Sequence, residues 1–78
     1  MNQRNDKGER IGYWERYYLD GGLKSKGNYV NGKKDGHWEW YTNGGYLWYK
    51  GNYNNGERDG YWEWYTDSGN LIEKEFVL

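Results

Sequence analysis

No cysteine and no proline occur among the 78 residues, and there is a single histidine. Without cysteine there is no disulfide framework and no thiolate metal site, which fits a reducing compartment. His37 lacks the partners that a metal centre or a nucleophilic triad needs. It reads as a solvent-exposed strand residue. Aliphatic side chains are scarce, with two Ile, two Val and five Leu, too few for a conventional core. No apolar run approaches the length of a membrane span. The opening MNQRNDKGER has no signal-peptide apolar region. The expectation is one soluble, cytoplasmic domain.

Charge is also nearly absent in sum. The net value of −1 argues against general nucleic-acid binding. Residues 1–36 carry eight Lys/Arg against five Asp/Glu, and residues 37–78 carry three against seven. Salt screens exposed charges of this kind, so the imbalance by itself decides little.

What is abundant is ten Tyr, six Trp and 13 Gly. Disordered chains are poor in aromatics. Aromatic residues favour strands, and Gly with Asn or Asp favours turns. The stretch KDGHWEWYTNGG returns 24 residues later as RDGYWEWYTDSG. At that shift Trp14, Trp38 and Trp62 coincide, as do Glu15, Glu39 and Glu63, then Tyr17, Tyr41 and Tyr65, and Gly21, Gly45 and Gly69. A fixed period of this size marks a repeat architecture. The chain divides into a partial unit (1–11), two units (12–35 and 36–59), and a truncated unit with a C-terminal cap (60–78).

Each unit reads as a hairpin. HWEWYT (37–42) is the first strand, NGG (43–45) the three-residue turn closed by a left-handed Gly, and YLWYKGNY (46–53) the second strand. Asn31-Gly32 and Asn55-Gly56 signal tight hairpins between units. The fold class is therefore all-β: a single-layer antiparallel β-meander of repeated hairpins, with five or six short strands. Uninterrupted alternation from the turn places Trp40 opposite Trp48 and Trp38 opposite Lys50. One face then reads Trp38, Trp40, Trp48, Lys50, with Trp14, Arg16, Lys24, Lys26 and Trp62, Trp64, Ile72, Lys74 as its counterparts. The Trp–Lys pair suits a cation–π contact. The other face carries Tyr17 with Leu23, Tyr41 with Leu47, and Tyr65 with Leu71. Glu15, Glu39 and Glu63 recur with the repeat, so they read as partners along the sheet rather than catalytic carboxylates. The tail LIEKEFVL reads as a capping or dimer-forming strand, with Phe76 and Leu78 on the parity of Ile72.

The pattern G-x-W-x-x-Y … G-x-L … Y-x-N-G-x-x-D-G, as in GHWEWYTNGGYLWYKGNYNNGERDG, resembles the MORN-repeat variant family. It is similar in particular to the bacterial units of the YwqK-family antitoxins, over about Gly8 to Leu71. The resemblance implies a row of β-hairpins in one twisted sheet with no catalytic centre. It further implies roles in protein scaffolding, self-association and, in some members, attachment at membranes. A weaker likeness, to choline-binding repeats, comes through GYWERYYLDGG, although those units are shorter and lack the NGxxDG link.

A single layer cannot bury both of its faces, and exposed aromatic patches mark binding sites. The partner-binding residues expected are Trp14, Trp38, Trp40, Trp48, Trp62, Trp64 and Lys50. The function expected is non-enzymatic protein binding, without cofactor or metal, as an inhibitor of antitoxin, immunity or phage counter-defence type. The partner is another protein and not nucleic acid, a homodimer is the default assembly, and a membrane surface is disfavoured. Two alternatives stand beside this. One is a ligand-binding module for lipid headgroups, choline-like amines or glycans. The other is a structural self-assembly module.

Overall fold

A computed structural model describes residues 1–77. Seven antiparallel strands follow one another in a single sheet, each paired with its sequence neighbour. They are β1 (Gln3–Arg4), β2 (Arg10–Tyr17), β3 (Leu23–Val30), β4 (Lys33–Tyr41), β5 (Leu47–Asn54), β6 (Glu57–Tyr65) and β7 (Leu71–Val77). The meander of hairpins is as the repeat predicts, with seven strands in place of five or six. The extra strand is the short β1, which pairs Gln3 and Arg4 with Ile11 and Arg10. The molecule measures 41 × 36 × 11 Å, so it is one layer thick.

The turns follow their residue types. Asn31 and Gly32 both have positive φ (48° and 84°), as do Asn55 and Gly56 (54° and 88°). That is the two-residue turn whose twist matches the flanking strands. At the other end of the strands, the Thr42 N–H donates to the Tyr46 carbonyl across residues 43–45, and Gly45 takes φ of 91°. The three-residue turn is thus as expected.

The register beyond that turn is not. Tyr41 faces Leu47, but a bulge then sets Trp40 opposite Tyr49, Glu39 opposite Lys50 and Trp38 opposite Gly51. Trp48 is the bulged residue, and the same shift makes Lys24 and Ile72 the bulged residues of the first and third hairpins. One extra residue reverses which face every later side chain joins. The face Trp38, Trp40, Trp48, Lys50 is therefore corrected to Trp38, Trp40, Tyr49, Gly51, Tyr53. Lys26, Lys50 and Lys74 move to the opposite face. Phe76 faces Tyr61 on that opposite face, at 4.8 Å between ring centroids. Leu78 lies outside the described residues.

A second irregularity recurs between units. Lys26 pairs with Glu39 but Asn28 with Asp35, so Gly27 faces three residues of β4. Gly51 stands in the same relation to β6. Gly36 and Gly60, with φ of 75° and 72°, absorb the extra residues. This sets the tryptophan that follows against the glycine of the preceding strand. A Cβ on Gly27 would lie 2.1 Å from the Trp38 ring, and one on Gly51 2.1 Å from the Trp62 ring. Each indole lies flat on bare backbone. That is how a one-layer protein buries Trp38 and Trp62 to 1 % exposure.

A candidate interface on the aromatic face

The corrected register sorts the side chains into two faces of opposite character. On one, an aromatic cluster runs across β2 to β6. Tyr29 meets Trp14 and Trp38 edge-on at 5.8 and 5.0 Å, and Tyr53 meets Trp62 edge-on at 5.2 Å. Such pairs add stability beyond the area they bury. Trp40 stacks on Tyr49 at 4.5 Å and lies 5.9 Å from Trp62, while Trp64 lies 6.4 Å from Trp62. Trp14, Tyr29, Trp38 and Trp62 are buried and form the floor. Trp40, Tyr49, Tyr53 and Trp64 are half-buried and form its upper surface.

The cations of this face sit on the rings. Arg10 lies 4.9 Å over Trp14, Lys34 5.5 Å over Trp38, and Arg58 5.3 Å over Trp62. Arg4 covers Trp14 from the β1 side at 5.3 Å. A cation–π contact does recur at the repeat period, but its cation precedes the tryptophan by four residues instead of following it. Positions 10, 34 and 58 are all basic in the sequence, and that was the available signal. The indole N–H of Trp38 donates to the Asn28 carbonyl at 3.0 Å, and that of Trp14 donates to the Gln3 and Ile11 carbonyls. Among the described residues, the Trp62 N–H has no acceptor.

The other face is polar and equally periodic. Tyr17, Tyr41 and Tyr65 donate their phenol hydrogens to Glu15, Glu39 and Glu63, two residues earlier. Lys26 reaches Glu39 at 3.5 Å, and Lys50 and Lys74 reach Glu63 at 3.7 Å. His37 is exposed and contacts Glu39 at 2.8 Å. The tyrosine hydrogen bonds hold the Glu15 and Glu63 carboxyls below their ordinary range. At Glu39 burial pushes upward, but the bonds from Tyr41 and His37 prevail and the carboxyl again lies low. Burial and the bond to Glu39 push the Tyr41 phenol up to about 12. The bond to Glu63, helped by burial, takes Tyr65 to about 12.

The expected binding residues thus separate. Trp40 and Trp64 lie at the open surface of the aromatic face. Trp38 and Trp62 have almost no accessible surface and act as its floor, with Trp14 at its edge at 9 %. Trp48 is exposed at the bulge beside Tyr49, and Lys50 is on the polar face. Tyr49 and Tyr53 belong to the aromatic face and were missed, because the bulge cannot be read from alternation alone.

Hairpins whose tryptophans seat on the glycines of the preceding unit define a β-sheet repeat protein. The family model described as MORN repeat variant matches residues 10–31 and 58–77, together more than half of the chain. The chain belongs to the MORN repeat variant family. No curated protein and no solved structure matches it.

Proposed function

We propose that the chain is a non-enzymatic protein-binding module that engages another protein through its aromatic face. The observation that carries this reading is the half-exposed row Trp40, Tyr49 and Trp64, laid on a buried aromatic floor in a sheet only 11 Å thick. Rigid aromatic side chains held by their neighbours lose little freedom on binding and are frequent interface anchors. The finer reading is that the module is a stoichiometric inhibitor of antitoxin, immunity or counter-defence type. Its support is the family resemblance.

The test is capture of partners with tagged protein, using Trp40→Ala/Trp64→Ala as the comparison. One stoichiometric partner, lost in a variant that keeps its β-sheet circular dichroism, is the expected result. Equal capture by both proteins would remove the aromatic row from the interface. Fluorescence titration with choline or oligosaccharides addresses the ligand-binding alternative, since several indoles line this face.

A further inference from the structure

Charge is divided between the two faces in a way that net charge conceals. The aromatic face carries Arg4, Arg10, Arg16, Lys34 and Arg58 against Glu73 and Glu75. The polar face carries Lys26, Lys33, Lys50 and Lys74 against Glu15, Asp35, Glu39, Glu57, Asp59 and Glu63. One face is net positive and the other net negative. Three of these six acids, Glu15, Glu39 and Glu63, accept from tyrosines, and Glu39 and Glu63 also pair with lysines. The cations of the aromatic face are not matched in that way. Arg58 reaches Glu75 at 3.8 Å in an exposed pair, whereas Arg10 and Lys34 lie over rings.

These cations form a line. Arg10, Lys34 and Arg58 stand on β2, β4 and β6, so neighbours are two strand spacings apart, about 10 Å. At one end the line opens into a cleft of about 570 Å³ lined by Arg4, Arg10 and Lys34 of this face and, beside the Asn31-Gly32 turn, by Lys33, with Tyr29 in its wall and Glu9 its one carboxylate. Glu9 is held by the Asn5 side chain at 2.9 Å. The rings beneath the cations keep them in place, and Arg10 also donates to the Tyr29 hydroxyl at 3.0 Å. At Arg58 an incoming carboxylate would take the place of Glu75.

We propose that the occupant of this face is an acidic polypeptide segment. Its carboxylates pair with the line Arg10, Lys34 and Arg58 and with the cleft, and its apolar side chains rest on Trp40 and Trp64. This rests on the protein-binding reading above and adds the chemistry of the partner. Charge complementarity carries it. The buried state of Trp14, Tyr29, Trp38 and Trp62 favours a peptide over a nucleic acid, since base stacking needs open ring faces beside the cations. A second copy presenting its acidic polar face is disfavoured, because Glu15, Glu39 and Glu63 of that face are already engaged by its own tyrosines and lysines.

The experiment titrates the protein with a 15-residue peptide of alternating Glu and Leu clusters, with a 12-nucleotide dT oligomer, and with inorganic phosphate, read by tryptophan fluorescence. The peptide is expected to bind at low salt and to weaken about tenfold by 0.3 M NaCl. Arg10→Gln/Lys34→Gln/Arg58→Gln is expected to weaken it about tenfold more. Lys26→Gln/Lys50→Gln/Lys74→Gln, with the same change in net charge on the polar face, is expected to bind as the parent does. No peptide binding, equal loss in both triple variants, or equal affinity for the dT oligomer would overturn the proposal. Assembly that grows with protein concentration and resists the peptide would overturn it in favour of a second copy. Should a captured partner depend on Trp40 and Trp64 but not on the three cations or on salt, the protein-binding function stands and the acidic partner fails.

Discussion

The smallest residues in this protein decide where the largest ones go. Gly27 and Gly51 are buried not because they fill space but because an indole occupies the place of their side chain. Even one methyl at Gly51 would have to displace the Trp62 ring, and overpacking of this kind costs about 1–3 kcal/mol. Gly51→Ala is therefore expected at the top of that range. Gly22→Ala, which meets only the Asp20 carboxylate at 3.4 Å and has no positive φ, is expected to change stability by less than about 0.5 kcal/mol. Urea denaturation of the two variants checks the ranking, and equal effects would mean that the indole is not seated on Gly51. The tryptophans themselves are not equivalent. Trp38 donates to Asn28, while the buried Trp62 N–H has no acceptor among the described residues. Phenylalanine removes a hydrogen bond at the first position and an unsatisfied donor at the second. Trp38→Phe is expected to be more destabilising than Trp62→Phe by about 1 kcal/mol or more, measured by the same denaturation.

At the scale of the strand, the recurring Glu–Tyr pair ties position 39 to 41 along one edge of the ladder and Lys26 across it. Its titration has a definite sign. The Glu39 carboxyl is held below its ordinary 4.5, so its contribution is present above that value and disappears as pH falls through the lower folded value. The Tyr41 phenol is raised from 10 to about 12, so its contribution is complete below 10 and is lost as pH rises through 12. The urea midpoint is expected to stay level between these limits and to fall on both sides. Glu39→Gln should make the acid side shallower, with Glu15 and Glu63, also held low, supplying the rest, and Tyr41→Phe should remove one late phenolate step from the absorbance titration at alkaline pH. An unchanged acid limb in Glu39→Gln would show that the pair does not act in the folded sheet. The hairpins themselves were legible in the sequence, because Asn-Gly turns and left-handed glycines are set by local sterics. So was the pairing of Tyr41 with Leu47, one step from the turn. The faces beyond it were not, because the bulge at Trp48 depends on how the strand packs rather than on any residue that demands it. The cation–π line at 10, 34 and 58 was visible as a basic period, but its ring partners follow only once the bulges at Gly36 and Gly60 are known.

At the scale of the whole molecule, the sheet is an array in which each unit is held by its neighbour. Trp38 of one hairpin lies on Gly27 of the hairpin before, and Trp62 lies on Gly51. Stability in such arrays approximates a sum of units and interfaces. The two edges differ from the interior. On β2, beyond the short β1, the Asn2 side chain bonds the backbone N–H and C=O of Glu15 at 2.8 and 2.9 Å and stands in for a strand. On β7, Glu75 takes the position that Gly27 and Gly51 hold on β3 and β5, so β7 offers no bare backbone to a further indole. Its Glu73, Lys74 and Glu75 also make the edge charged, which discourages strand addition. Inserting a second copy of residues 36–59 after residue 59 preserves every seat, because the new tryptophan meets a glycine and the new glycine meets Trp62. That variant is expected to fold as a longer sheet and to melt several degrees higher, since an added interface of about 1 kcal/mol shifts a domain of this size by about 4–8 °C. The same insertion carrying Glu in place of its own glycine at the position of Gly51 denies Trp62 its seat, and is expected to lose that gain. If both insertions raised the melting temperature equally, the array would be held by strand pairing alone, and the tryptophan on glycine would be decoration rather than the joint between units.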